Sequence, residues 1–122
     1  MKTPKAILER RRSVRVDEEL PFKIGQAGFE TVAKTVNISK HGALCLVDKN
    51  IPLMTQLAVA LTLPAPGKRS GRGKTIRLKG VVVRREKDPV SDQWFLAIYF
   101  AQINSEDQAT LSRFIESRLS SS

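Results

Sequence analysis

Hydrophobic and polar residues alternate along most of the chain, which is the pattern of β-strands that bury one face. The segments VRVDEELPFKI (14–24) and FETVAKTVNI (29–38) carry Val, Ile, Phe and Thr at roughly every second position. The four residues between them, GQAG (25–28), include two glycines that suit a tight reversal of the chain. The pattern therefore predicts a β-hairpin.

Four more segments have strand character. ALCLVD (43–48) is an apolar run too short for a helix, and QLAVALTLP (56–64) alternates until a proline ends it. TIRLKGVVVRRE (75–86) and QWFLAIYF (93–100) resume the alternation after loop-forming sequences. Six strands in one short chain predict a mainly β fold, a small six-stranded antiparallel barrel, because closure removes the edges that an open sheet exposes.

The last segment changes to a helical period. The apolar or amphipathic residues that share one helix face are Leu111, Phe114, Ile115, Arg118 and Leu119. Ser105 and Gln108 have the spacing of a capping box, so we expect the helix to begin there and to pack on the barrel. We expect residues 1–9 to form a flexible segment, 10–119 a single domain and 120–122 a disordered tail.

The length and composition are those of an ordinary globular domain, with 122 residues, 41% hydrophobic and 27% charged. The sequence contains no apolar run long enough for a membrane helix and no secretory signal, which predicts a cytoplasmic protein without membrane insertion. The single cysteine, Cys45, lies within an apolar run, so we expect a buried free thiol.

The charge is strongly positive, with a formal net charge of +9, and this suggests an anionic partner. Much of it lies in residues 1–15 and in a second segment that contains Lys68, Arg69, Arg72, Lys74, Arg77, Lys79, Arg84, Arg85 and Lys87. The second segment is compatible with a solvated loop and strand face, a docking site for an acidic partner, or electrostatic steering of an anionic ligand.

Signs of catalysis are lacking. The chain has one histidine, His41, and no group of residues with the spacing of metal ligands. We therefore predict no catalytic residue and no metal site. The glycine-rich segment GKRSGRGKT (67–75) departs from a phosphate-binding loop in its spacing. It also continues into a strand, where that loop needs a helix. The sequence therefore favours a binding domain over an enzyme.

Two short motifs lie on either side of the predicted hairpin. The stretch ERRRSVRV (9–16) contains Arg11-x-x-x-Arg15, and the hairpin leads to Asn37-x-Ser39-x-x-Gly42. An arginine run alone is typical of a solvated tail, and an Asn/Ser/Gly cluster alone is typical of a turn. Their order and their separation by one hairpin could place a cationic segment over a fixed polar turn.

This pair of motifs resembles the signature of the PilZ domain family, RxxxR followed by [D/N]xSxxG. The flanking sequences KGVVVRRE, WFLAIYF and INSEDQATLSRFI resemble the family's late strand pair and closing helix. Two positions depart from the usual pattern. Asn37 stands where many members have Asp, and Ala97 stands where a glycine is common.

The resemblance implies a six-stranded barrel with a C-terminal helix that binds cyclic di-GMP, a bacterial second messenger, with no further cofactor. It assigns Arg11 and Arg15 to contacts with guanine edges and phosphate, with Arg10 or Arg12 as auxiliary cations. Arginine suits these tasks because its planar fork can bind phosphate or guanine through two parallel hydrogen bonds and can stack on a base.

The resemblance also assigns Asn37 and Ser39 to polar contacts with the remaining base or phosphate atoms. Gly42 would let the backbone approach closely, whereas His41 occupies a free position of the motif and receives no role. The implied function is a receptor that changes conformation on binding and regulates a protein partner in motility, attachment or exopolysaccharide synthesis. The sequence does not identify that partner, and it is compatible with a homodimer.

The sequence is also compatible with two other functions. A small basic barrel can hold oligonucleotides, although the aromatic residues, 6% of the chain, lie mostly at positions that suit a core better than a stacking surface. A PilZ-like adaptor that has lost nucleotide binding would act through protein contacts alone.

Overall fold

The computed structural model describes residues 14–26, 28–64 and 73–120. The strands are β1 (Pro21–Gln26), β2 (Phe29–Ile38), β3 (Gly42–Val47), β4 (Gln56–Leu63), β5 (Lys74–Lys87) and β6 (Trp94–Ile103), and the helix is α1 (Ser105–Ser120). The predicted flexibility of residues 1–9 lies outside the described residues. Residue 120 ends the helix, and the rest of the predicted tail is likewise outside them.

The six strands form a closed barrel in the order β1-β2-β3-β6-β5-β4, and every neighbouring pair is antiparallel. The barrel closes where β1 pairs with β4, with Phe22 opposite Leu61 and Ile24 opposite Val59. The mainly β, six-stranded prediction is confirmed. Closure gives each of the six described strands a neighbour on both sides, so the described barrel has no edge strand.

The barrel interior is filled by the alternate residues of all six strands, as the hydrophobic pattern predicted. Its most deeply buried large side chains are Phe22, Ile24, Ile38, Leu61, Ile76, Leu96 and Ile98. Leu111, Phe114 and Ile115 of α1 join the same cluster, which confirms that the helix packs on the barrel. Cys45 is fully buried there, and its burial raises the pKa of the thiol to about 12.

The prediction that Ser105 and Gln108 cap the helix is wrong by one residue. The side-chain oxygen of Asn104 accepts a hydrogen bond from the Asp107 amide at 2.7 Å, which is the geometry of an N-cap residue. The Asn104 carbonyl then accepts the first helical bond from the Gln108 amide at 2.9 Å. Ser105 already belongs to the helix, so its hydroxyl is not the cap.

The first predicted strand is also too long. β1 begins at Pro21, and among residues 14–20 only Val16 forms a β-bridge, which pairs it with Ile38 of β2. This segment therefore runs beside the far end of β2, whereas β1 pairs with the near part of the same strand. Within the described residues, no helix has the length and apolar content needed to cross a membrane.

Candidate functional site

The segment before β1 is attached to the end of β2 by backbone hydrogen bonds. The Val16 amide donates to the Ile38 carbonyl at 2.8 Å, and the Ile38 amide donates back to the Val16 carbonyl at 3.0 Å. The Val16 side chain is buried in the core cluster, which fixes this bridge further. Arg15, one residue earlier, is thereby held beside Asn37.

Thr35 makes a second attachment between this segment and β2. Its hydroxyl accepts a hydrogen bond from the Leu20 amide at 2.9 Å and donates to the Glu18 carbonyl. The Thr35 amide also donates to the Leu20 carbonyl, at 3.2 Å. Thr35 is only 1% exposed, so these bonds satisfy a polar group within the core.

A β-bulge in β2 turns Asn37 towards solvent. Thr35 pairs with Cys45 and Asn37 pairs with Leu44, so Val36 is an extra residue in the strand. Residues on either side of the bulge, Thr35 and Ile38, are buried, whereas Val36 and Asn37 both lie on the outer face. Without the extra residue, strict alternation would direct Asn37 into the core, because successive side chains point to opposite faces.

Arg15 and Asn37 meet on this outer face. The Arg15 Nη1 donates to the Asn37 Oδ1 at 2.9 Å, with Arg15 exposed and Asn37 half-buried. This bond uses one of the five guanidinium N–H donors and orients the amide of Asn37. The pair can therefore present further N–H donors from both side chains to an anionic or carbonyl-bearing ligand.

The turn between β2 and β3 is held by Ser39. Its amide donates to the Gly42 carbonyl at 2.9 Å, and its hydroxyl donates to the same oxygen at 3.3 Å. The hydroxyl also accepts from the His41 amide at 3.2 Å. With 1% of its surface exposed, Ser39 shapes the turn. A direct contact between Ser39 and a ligand remains a prediction.

Gly42 is needed for a reason that the motif alone does not reveal. A Cβ at this position would lie 2.6 Å from the backbone oxygen of Ile98, so any side chain would push β3 away from β6. The carbonyl of the neighbouring His41 accepts a bond from the Phe100 amide at 2.8 Å, which ties the turn to β6. The side chain of His41 is exposed.

The structure thus brings together Arg15, Asn37 and the Ser39–Gly42 turn at one end of β2. The predicted site residues Arg10, Arg11 and Arg12 lie outside the described residues. Residues near the site that the motif analysis missed are Thr35 and Glu18. A threonine at an inward position of the alternating β2 pattern was the available signal for Thr35.

Both parts of the site are tied to α1 by ion pairs. Arg118 Nε lies 2.8 Å from Glu18 Oε2, in the segment that follows Arg15. Lys40 Nζ lies 3.3 Å from Glu116 Oε2, in the turn that follows Asn37. The last turns of the helix therefore contact the two chain segments that carry the motifs.

The family model described as the PilZ domain matches residues 9–117, a span that contains both motifs, the whole barrel and most of α1. The chain belongs to the PilZ domain family. PilZ domains are receptor or adaptor domains. A comparison with curated proteins found no significant match.

Two solved structures are similar to this PilZ domain. The Bacillus subtilis inhibitor of motility (MotI/DgrA) has a TM-score of 0.74 and 24% identity, over 91% of this chain and 52% of that protein. The PilZ domain of YcgR from Escherichia coli, solved with c-di-GMP, has a TM-score of 0.62 and 15% identity, over 88% and 90% of the two chains. The chain spans about half of the Bacillus protein. At these identities the likeness establishes the shared fold.

Proposed function

We propose that this PilZ domain is a cytoplasmic, non-enzymatic receptor for cyclic di-GMP. The observation that carries the proposal is the 2.9 Å hydrogen bond between Arg15 of the RxxxR motif and Asn37 of the NxSxxG motif. It joins the two halves of the family signature on one exposed surface. The family membership and the ligand in the YcgR structure support the choice of nucleotide.

The chemistry of the pair suits this ligand, which carries two guanines and two phosphodiesters in one ring. The Arg15 guanidinium can bind a phosphate oxygen pair or the O6 and N7 atoms of guanine. The amide nitrogen of Asn37, oriented by Arg15, adds two N–H donors for acceptor atoms of the ligand. Arg11, with Arg10 or Arg12, would supply the remaining cations.

The nucleic-acid alternative is weakened by the small number of aromatic side chains outside the core. Phe22, Phe100 and Phe114 are buried, so these three cannot stack on successive bases. The receptor role also explains the clustered arginines at the start of the domain. Their mutual repulsion is offset when an anionic ligand binds between them.

The response to ligand is proposed to pass through α1. Ligand binding at Arg11 and Arg15 would shift the segment that follows them, which the Glu18–Arg118 ion pair attaches to α1. This shift would change the surface that the domain presents to a protein partner. The name of the Bacillus relative, an inhibitor of motility, supports regulation of motility as the process. The receptor would act on a separate effector protein, as a monomer or a homodimer.

Calorimetric titration with cyclic di-GMP, GMP and cyclic GMP tests the proposal. The wild-type protein should bind the cyclic dinucleotide selectively. Arg15→Ala should weaken binding by about 1.5–3 kcal/mol, which is typical of a hydrogen bond to a charged group. Arg113→Ala, which removes an exposed arginine from α1, is the matched control for net charge. Equal, weak heats with all three nucleotides would overturn the proposal.

A further inference from the structure

The outer face of the barrel beside Asn37 is unusually apolar. β3 and β6 pair next to each other, and their outward residues are half-buried or exposed hydrophobic side chains rather than polar ones. These residues are Leu44, Leu46, Phe95, Ala97 and Tyr99. By contrast, the outward positions of β1 and β2 include lysines and a glutamate. The apolar face therefore begins where the Arg15–Asn37 pair ends.

The strand register places four residues in one row across this face. Asn37 is paired with Leu44, and Leu44 is paired with Ala97. Ala97 is in turn paired with Arg84 of β5. Three strand spacings of about 4.8 Å separate the ends of the row, so Asn37 and Arg84 lie about 14 Å apart along the sheet.

Both ends of the row depend on a β-bulge. The register of β5 against β6 shifts between Val82 and Arg84, which makes Val83 an extra residue. Without it, Val83 would stand opposite Ala97 and the arginine would leave the row. Bulges occur in β2 and β5, and each directs a polar side chain to the same row on the outer face. Bulges of this kind often re-aim side chains near functional sites.

Ala97, in the middle of the row, has the smallest side chain of the four residues. Its neighbours on the same face of β6 are Phe95 and Tyr99, each about 6.6 Å away along the strand. Leu44 and Arg84 flank it across the sheet. A methyl group surrounded by four larger side chains leaves room for a flat group, and the aromatic and apolar walls suit a nucleobase.

The charge of Arg84 has no counter-ion within the described part of the chain. Its side chain is exposed and takes part in none of the ion pairs found there. Its neighbour Arg85 is engaged, because its Nη1 donates to Asn50 Oδ1 at 2.8 Å and its guanidinium lies 5.9 Å from the Trp94 ring centroid. The two arginines therefore carry the same charge, but only Arg85 has side-chain partners among the contacts described here.

We infer that Leu44, Ala97 and Arg84 form a second base subsite, in which a guanine lies over the small Ala97 side chain and Arg84 binds its O6 and N7 atoms. The inference rests on the proposed function. A ligand with two guanines can place one at Arg15 and Asn37 and the other at the opposite end of the row. Arg84 would then be a residue that determines specificity for guanine in the second position.

The test compares two cyclic dinucleotides, cyclic di-GMP and cyclic GMP–AMP, by calorimetric titration. Cyclic GMP–AMP can offer its guanine to Arg15 and its adenine to Arg84. The wild-type protein should therefore bind cyclic di-GMP about tenfold or more tightly than cyclic GMP–AMP. Arg84→Ala should weaken cyclic di-GMP binding by a similar factor and bring the two affinities close together. Arg85→Ala, with the same loss of charge, should retain both the affinity and the preference.

These measurements distinguish a failure of the second subsite from a failure of the proposed function. If the wild-type protein binds cyclic di-GMP but Arg84→Ala and Arg85→Ala behave alike, the second subsite is wrong and the proposed function stands. If the wild-type protein binds neither dinucleotide, the proposed function fails and the subsite fails with it. Circular dichroism of the two variants checks that each retains the barrel.

Discussion

Thr35 shows how one buried polar side chain can position a binding residue that it does not touch. Its hydroxyl joins the amide of Leu20 and the carbonyl of Glu18, both in the segment that follows Arg15. That segment has little regular structure of its own. Its place beside β2 depends on these bonds and on the Val16–Ile38 bridge.

Thr35→Val should lower the free energy of unfolding by about 2–4 kcal/mol. Valine has nearly the same shape, but it leaves two backbone groups without a side-chain partner: the buried Leu20 amide, at about 1–3 kcal/mol, and the part-buried Glu18 carbonyl, at about 1 kcal/mol. Urea denaturation measures the change. Thr31→Val is the control, because the Thr31 hydroxyl makes only a 3.4 Å contact with Asp48 at the surface. Equal stability of the two variants would contradict the proposed attachment.

The NxSxxG motif also divides into residues with different tasks. Asn37 is accessible and polar, so it suits ligand contact, whereas the hydroxyl of Ser39 is consumed within the turn. Gly42 is required by the approach of Ile98 from β6. Of the three motif residues, Asn37 is therefore available to a ligand, whereas the observed contacts of Ser39 and Gly42 are structural.

At the scale of elements, α1 is positioned by the residue that precedes it and by its last turns. Asn104 satisfies the Asp107 amide at the start of the helix. Near its end, Arg118 and Glu116 make the ion pairs to the segments around the site. Arg118 also lies over the Phe114 ring at 4.8 Å, which keeps its guanidinium near the barrel. The position of the helix is therefore linked to the positions of both motifs.

Asn104→Ala should destabilise the protein by about 1 kcal/mol, the usual effect of removing an N-cap side chain. Ser105→Ala should have almost no effect, because Ser105 lies inside the first turn and alanine favours the helix. Thermal or urea unfolding of the two variants distinguishes the cap residues. A larger loss for Ser105→Ala would restore the capping box that the sequence spacing suggested.

At the scale of the whole molecule, closure makes the barrel one cooperative unit. Every strand has two partners, and the helix joins the same apolar cluster as the barrel interior. The loss of one strand would expose the core between its two neighbours. No part of the described barrel has a core of its own that could survive such a loss.

Unfolding should therefore be a single two-state transition. The one tryptophan of the chain, Trp94, begins β6 and packs against the core, so its fluorescence reports on the barrel. Its transition in urea should superimpose on the loss of β-structure measured by far-ultraviolet circular dichroism. Two separate midpoints would indicate that the barrel opens before it unfolds.

The sequence by itself determined the number of strands and their places along the chain, the closing helix and the family motifs. These features follow from local patterns, such as alternation in β4 and the helical period of Leu111 and Ile115. Each strand buries one face in the core, so hydrophobic residues at every second position are enough to predict it. The pairing of the RxxxR and NxSxxG motifs was also visible, because only one hairpin separates them.

The tertiary structure alone decided where the side chains of the site point. The bulges at Val36 and Val83 shift the alternation by one residue, and such a shift depends on the partner strand rather than on the local sequence. The same holds for Gly42, whose need arises from the close approach of Ile98, 56 residues later in the chain. Pairings between distant strands brought Asn37, Ala97 and Arg84 into one row, and no local pattern contains that information.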